Sequence, residues 1–488
     1  MQIVSCPSCG AEVKFRSHAS VMAVCEYCGT SVLKDAGAVQ DLGKMSAVLE
    51  DYSPIQIGVA GVIGGRAFNV VGRLQLKYSA GMWNEWYLLF DDAGTGWLGD
   101  ASGMYVVTGE RQVDGALPSF EEIVPGHNYS IGGQRLTASE VRRADCIGGQ
   151  GELPFKVGEG YQAQVADFRR GSQFITLDYS DSPRPVLYSG VAVTLEAMQC
   201  QLLRDDDAIE RSAGRYRGKL DALDCPSCGS PIKYLPGMTA HLLCPACHAQ
   251  VDAASPQAQV LAAGERVAAV RTTLELGAQA KLNNQELTVI GMMRRADDEG
   301  TQWTEYLLYG SRAGFSWLVE TDQGWSRANL MPEWPALTGP AADSAVLEQA
   351  SFHKLYEYGS QVSYAIGAFN WRVQVGERTR VAEFAYGQIR LVAETTAAEM
   401  TWSRCAPVPF DQMKAWFGQQ FSGQRPAPLL AHKHRYQNAA KNTIMVMLAL
   451  NAIPLLANFS RSWALSALGA LAIYLPALFL DANDDSQA

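Results

Sequence analysis

The sequence predicts a mainly β protein. Two four-cysteine zinc ribbons are each followed by an antiparallel β sandwich or barrel domain, and a transmembrane helical hairpin closes the chain. Three observations carry this expectation. A cysteine quartet recurs after 219 residues. Behind each copy the chain alternates apolar and polar residues in short runs broken by glycine, the pattern of strands and turns. Near the C-terminus stand two uncharged apolar runs.

The first quartet is Cys6, Cys9, Cys25 and Cys28, within "CPSCG…CEYCG". The second is Cys225, Cys228, Cys244 and Cys247, within "CPSCG…CPACH". Both read C-x2-C-x15-C-x2-C, the spacing of a four-thiolate zinc site. Four protein ligands leave no open position for a reactive water, so two structural zinc ions are expected. Such an ion stabilises a module too small to build a core of its own. The glycines after Cys9, Cys28 and Cys228 suit the tight backbone around the metal. His248 takes the corresponding place after Cys247. Four thiolates suffice without it, so it is read as a surface histidine. The competing reading of the eight cysteines is disulfides or free thiols.

With 488 residues the chain has room for about three or four domains. Its net charge of −10 argues against a nucleic-acid surface, which needs a basic stripe to release counterions. The ribbon loops "AEVKFRSHASVMAV" and "SPIKYLPGMTAHLL" carry few basic residues and agree with that. The opening "MQIVSCPSCG" reads as zinc ligands, not as an apolar signal peptide. Paired thiolate sites favour a reducing compartment, so the bulk of the protein is expected in the cytosol.

In chain order, residues 1–34 form the first ribbon, followed by a linker that is helical in part. Residues 53–190 form the first β domain, with a tight turn at Asp91, Asp92 and Gly94. Residues 191–221 read as a charged helical linker, and 222–253 as the second ribbon. A stretch of similar character, "SPQAQVLAAGERVAAVRTTL", leads into the second β domain at 272–408. That domain repeats the first: Gly58 matches Gly277, Gly72 matches Gly291, Trp83 matches Trp303, Glu85 matches Glu305 and Trp97 matches Trp317. Tyr129 in "YSIGGQRL" is matched to Tyr364 in "YAIGAFNW", and Phe168 to Phe384. An insertion lies around "MPEWPALTGPAADSAVLEQ". One period of this length is a duplication, not a solenoid. Residues 409–440 are a proline-bearing linker, and the hairpin covers 443–480.

The apolar runs are Thr443 to Phe459 and Trp463 to Leu480, parted by Ser460 to Ser462. As helices each reaches about 26 Å, at the short end of what a bilayer needs. Lys433, Arg435 and Lys441 precede the first run and place that flank in the cytoplasm. The expected location is therefore the inner membrane of a bacterium, with the large N-terminal region cytosolic.

The quoted residues resemble a known bacterial family, the domains of unknown function numbered 4178. The resemblance rests on the four-cysteine ribbon and on "SPIQIG" from Ser53. It also rests on "WNEWYLL" and "WTEYLLY", on "GELP" from Gly151 and on "AETTAAEMTWS" from Ala393. It covers both halves, implies a ribbon paired with a β-rich domain, and assigns no residue a role. It also implies a process shared with polyamine aminopropyltransferases and small membrane proteins. "GELP" has no counterpart in the second copy.

No catalytic motif stands out, and no catalytic residue is assigned. Cys146, Cys200 and Cys405 are isolated and read as small apolar residues. His127 and His353 are single residues in loop-like stretches. Glu394 and Glu399 near Trp402 are a candidate acid–base pair, against the plainer reading of solvated strand-edge charges. Glu85 and Glu305 stand at matched positions among aromatic residues, an arrangement suited to an ammonium ligand such as a polyamine, against tryptophans that simply fill a core. The expected work is that of a membrane-anchored scaffold or adaptor holding a protein partner. The alternative is an enzyme or ligand sensor of polyamine or lipid chemistry.

Overall fold

The structure is a computed structural model, and it divides into two units, Met1–Gly423 and Gln424–Ala488. It describes residues 2–487 apart from 18, 36–37, 46–52, 79–80, 102, 114, 158–159, 206–222, 233–240, 253–258, 263–271, 283–284, 311–312, 339–341, 370–372, 425–434 and 453–458.

Each β domain closes into an eight-stranded antiparallel barrel, the barrel branch of the expected sandwich or barrel. The first barrel uses β1 (Arg66–Tyr78), β2 (Gly81–Phe90), β3 (Thr95–Ala101), β4 (Met104–Arg111), β5 (Gln134–Leu153), β6 (Gln162–Arg170), β7 (Gln173–Asp178) and β8 (Val186–Val193). Hydrogen bonding runs β1-β2-β3-β4-β8-β7-β6-β5, and β5 returns to β1 with Gly151 opposite Gly72. The second barrel uses β9 (Gln285–Asp297), β10 (Gln302–Gly310), β11 (Gly314–Thr321), β12 (Gly324–Leu330), β13 (Ala350–Phe369), β14 (Arg378–Tyr386), β15 (Ile389–Thr395) and β16 (Met400–Val408). It follows the same circuit and closes with Gly367 opposite Gly291. Closure leaves no open edge on either ring. The seam needs glycine: a Cβ on Gly72 would meet the Glu152 carbonyl oxygen at 1.8 Å.

Alternation along the strands sorts the side chains. In the first barrel Trp86, Leu88, Leu98 and Val107 pack on one side against Ile55, Phe68 and Met198. Phe168, Ile175, Leu177 and Leu187 pack likewise against Phe120, Ile123 and Leu136. The intervening residues, among them Trp83, Glu85, Asp167 and Asp178, face a cavity instead.

The ribbons extend the barrel sheets. Met22 and Ala23 pair with Leu153 and Glu152 at the end of β5. The Glu152 carboxylate accepts hydrogen bonds from the Arg16 and Ser17 amides and from Ser20 Oγ at 2.7, 3.0 and 2.9 Å. This gives the "GELP" glutamate a structural task. In the second copy His241–Leu243 pairs with the end of β13, where Ala368 and Phe369 stand in place of Glu152 and Leu153. Phe369 is fully buried with Ile232, Leu242 and Val251, so packing replaces the polar anchor.

Several expected elements take another form. The linker after the first ribbon contains a strand, Ala38–Lys44, paired with Thr30–Asp35, where part-helix was expected. Of the helical linker expected over 191–221, residues 191–193 end β8, 195–199 form a turn and 200–205 are irregular. Met198 is fully buried under the first barrel, and Gln201 exchanges backbone hydrogen bonds with Ala60, which holds the chain too extended for a helix. The rest of that linker, 206–222, lies outside the described residues. In the stretch leading to the second β domain, Gln259–Ala262 is a strand. Tyr129 and Tyr364 are not equivalent: Tyr129 lies in a hairpin strand before β5, whereas Tyr364 lies near the end of β13. The true counterpart of that hairpin is Ser344–Leu347 with β13, inside the presumed insertion. Residues 409–440 include a helix, α1 (Phe410–Phe417), whose Met413 and Phe417 are buried.

In the C-terminal unit α2 (Arg435–Leu450) contacts α3 (Phe459–Gln487). Among the described residues no helix is long and apolar enough to cross a membrane. The expected transmembrane hairpin over 443–480 is therefore not supported by the described helices, and its residues 453–458 lie outside the described residues. The first half of α2 is polar, the helix is described as far as Leu450, and the Asn451 side-chain amide donates to the Met447 carbonyl.

Candidate metal centres and an acidic, aromatic cavity

Each cysteine quartet gathers its four sulfurs within 4.8 Å of one another. Cys6 and Cys28 lie 3.7 Å apart, as do Cys9 and Cys25 and also Cys225 and Cys247, and Cys228 lies 3.8 Å from Cys244. A four-residue knuckle builds each corner: the amides of Gly10, Gly29, Gly229 and His248 donate to the carbonyls of Cys6, Cys25, Cys225 and Cys244. All four residues have positive φ, between 57° and 77°. Three are the glycines that the sequence singles out, and the fourth is His248, which tolerates the same conformation at a cost. His248 is half-buried with its ring edge-on to Tyr364 at 5.4 Å, so it is a packing residue and not the expected surface histidine. Thr30 Oγ1 lies 3.2 Å from Cys28 Sγ, placed to donate to a thiolate. All eight expected ligands are thus brought together in two clusters that can hold a metal ion.

The second feature is a cavity of about 1390 Å³, lined by both barrels. The barrels meet at its rim. The Val141 amide donates to the Ala398 carbonyl, Trp334 donates to Gly171, and Arg142 pairs with Glu399 at 2.5 Å. Among the described residues fifteen Asp and Glu line the cavity against four Arg and no Lys, so its field is acidic. Seven of the chain's eleven tryptophans share the wall.

The matched glutamates both face this space. Trp83 Nε1 donates to Glu85 Oε1 at 3.1 Å, and Trp303 Nε1 donates to Glu305 Oε1 at 2.6 Å. Around them the two copies differ. In the second barrel the buried Arg295 guanidinium pairs with Glu394 and with Glu305, the latter at 3.5 Å, and donates to Ser360 Oγ at 2.6 Å. Burial opposes its charge, but Glu394 and Glu305 hold its pKa above the ordinary arginine value. Burial pushes Glu305 up, with Arg295 pulling against it. Among the described residues the first barrel has no ion pair at its matched glutamate, although its Arg142 and Arg169 line the cavity. Register places Leu76 opposite Trp83, where Arg295 stands opposite Trp303. Burial, with Asp178 and Asp167 nearby, pushes Glu85 up to about 7 against the Trp83 hydrogen bond. Asp167 is also raised by burial, while the Thr176 hydroxyl, Arg169 and Arg142 act the other way.

The other candidates separate. Glu394 and Glu399 do not form an acid–base pair: Glu394 serves Arg295, and Glu399 serves Arg142 of the other barrel. Burial pushes the thiols of Cys146 and Cys200 up to about 11 and that of Cys405 to about 12, so none is an activated nucleophile. His353 sits on β13, with Nδ1 3.4 Å from Ser344 Oγ. Asp167, Asp178 and Arg295 were not singled out from sequence. Arg295 carried a usable signal, because one copy holds a charge where the other holds Leu76.

Neither a curated protein nor a solved structure matches the chain. The family model of a domain of unknown function, DUF4178, matches residues 56–194 and again 275–410, which are the two barrels without the ribbons. The chain therefore belongs to the DUF4178 family and carries two tandem copies of its domain.

Proposed function

We propose that this chain is a binding protein whose cavity takes a small organic cation, and that its two ribbons are zinc-stapled supports. The observation that carries the first part is the lining: fifteen carboxylates against four arginines, set among tryptophans. Aromatic faces and carboxylates together replace the hydration shell of an alkylammonium group, and the aromatic walls cover its carbon chain. This favours the ligand-sensor alternative over a pure scaffold. Titration calorimetry of the full chain with 1,4-diaminobutane and with n-butylammonium tests it. Saturable binding of either is expected, and no heat from either at millimolar concentration would overturn it.

Zinc is the metal that suits the ribbons. A Zn–S bond of about 2.3 Å in a tetrahedron sets sulfurs about 3.8 Å apart. The paired sulfurs lie 3.7 and 3.8 Å apart. Metal analysis of protein purified without chelator is expected to give two zinc ions per chain.

A second reading concerns location at the inner face of a bacterial membrane, with the N-terminal unit cytosolic. It is favoured by the exposed apolar surface of the C-terminal helices, which includes Met445, Val446, Leu450, Leu465, Leu468 and Leu471. An adaptor role for that unit follows the same reading. Carbonate extraction is the test: the full chain is expected to stay with membranes and a chain ending at Gly423 to be released. Release of both would overturn it.

A further inference from the structure

The two Trp–Glu pairs are equivalent in sequence and register but not in charge. In the second barrel the two acids at the pair, Glu305 and Glu394, already have a cation, whereas Glu377 of the same wall has no ion-pair partner among the described residues. Glu305 and Glu394 share Arg295, whose guanidinium lies 5.9 Å from the centre of the Trp303 ring. Glu383 is paired with Arg390, and Glu357 with Lys354 and Arg380. In the first barrel Glu85 accepts only from Trp83, and Asp178 only from Ser180. Among the described residues neither has an ion-pair partner. Asp167 accepts from Thr176.

A second observation points to the same place. Ser139 is 5% exposed, lines the cavity and has no hydrogen-bond partner for its Oγ. It sits at a bulge in β5 between Ala138, opposite Phe168, and Glu140, opposite Asp167. Its Oγ is itself covered, and a covered hydroxyl left without a partner in the lining of a cavity is an exception that a ligand drawn against this wall would account for.

We infer that the wall formed by Trp83, Glu85, Asp167, Asp178 and Ser139 is the ammonium-binding subsite of this protein, and that Arg295 fills the equivalent place in the second barrel as a built-in cation. The inference rests on the reading of the cavity as a cation site and says which half of it binds. The aromatic rings beside it, Trp97, Tyr161 and Tyr188, suit the alkyl chain of a primary amine or diamine. A guanidinium is likewise an organic cation, and the duplicated site already shows one held by a tryptophan and two carboxylates. The Trp303–Glu305 pair is therefore already matched by a cation of the chain, and the Trp83–Glu85 pair is the one that would take an external cation.

The test is calorimetric titration of the full chain with 1,4-diaminobutane at pH 8, in four forms: unaltered, Glu85→Gln, Asp178→Asn and Glu305→Gln. Glu85→Gln keeps the shape and the acceptor for Trp83, and is expected to weaken binding tenfold or more. Asp178→Asn is expected to weaken it severalfold and guards against a local effect of the first change. Glu305→Gln, whose charge is already matched by Arg295, is expected to stay within about twofold. Near-ultraviolet circular dichroism of each form checks that the tryptophan packing is kept. If Glu85→Gln and Asp178→Asn bind like the unaltered chain, or Glu305→Gln alone abolishes binding, the assignment to the first barrel is overturned while the cavity reading stands. If the unaltered chain binds no amine, both fall together.

Discussion

Glu85→Gln should make the protein more stable above neutral pH while leaving it unchanged in acid. Burial raises the Glu85 pKa from the ordinary 4.5 to about 7. Below pH 4.5 the carboxyl holds its proton in both the folded and the unfolded chain. Between 4.5 and 7 only the unfolded chain releases it, so stability falls as the pH rises through that window and levels off above it. A tenfold change in proton affinity is worth about 1.4 kcal/mol, so the full cost at pH 8 is about 3 kcal/mol. Glutamine carries no charge to desolvate and still accepts from Trp83. The assay is guanidinium unfolding of the full chain at pH values from 5 to 8, followed by tryptophan fluorescence and compared between the two forms. Comparing midpoints at equal pH removes the contributions of the metal sites and of the second barrel, which both forms share. The gap should widen from about 0.8 kcal/mol at pH 5 to its full value at pH 8. A constant gap, or none, would refute the buried and unpaired state of this carboxylate.

The remaining predictions concern the frame. Cys25→Ser should halve the zinc content to one ion per chain and open the first ribbon to limited proteolysis; loss of both ions would mean that the clusters depend on each other. Gly190→Ala should prevent folding of the first barrel or cost about 3 kcal/mol or more, because the new Cβ would stand 1.7 Å from the Val107 carbonyl oxygen. At Gly133, where φ is 75° and nothing lies within 4 Å, the same change should cost only about 1 kcal/mol in thermal unfolding. Glu152→Gln should loosen the first ribbon by about 1–3 kcal/mol, read as lost hydrogen-exchange protection at Arg16 and Ser17, whose amides it accepts.

The legible parts of the chain were the local ones. A C-x2-C knuckle closes within a few residues, so all eight ligands and their glycines could be read directly. The repeat also carried Trp83 and Glu85 onto Trp303 and Glu305. Barrel closure was less legible, since it joins β1 to β5 through Gly72 and Gly151, far apart in the chain, and alternation alone does not tell a closed ring from a sandwich. The false match of Tyr129 with Tyr364 shows the related weakness: four similar residues do not fix a register. Residues 191–205 failed for another reason. Their charge and apolar spacing suit a helix, but burial of Met198 and pairing of Gln201 with Ala60 outweigh that preference. The cavity was hidden because the same alternating strand serves a core on one side and an acidic chamber on the other. Which side Glu85 faces depends on the ring being closed.

The central claim is that the cavity holds an organic cation on the Trp83–Glu85 side. The most direct measurement is anomalous diffraction from crystals of the full chain soaked with 4-bromobenzylammonium, whose bromine marks the ligand. The account predicts a bromine peak inside the cavity with the ammonium group in hydrogen-bond reach of Glu85. A peak beside Trp303, or an ordered cavity with no peak at all, would contradict it.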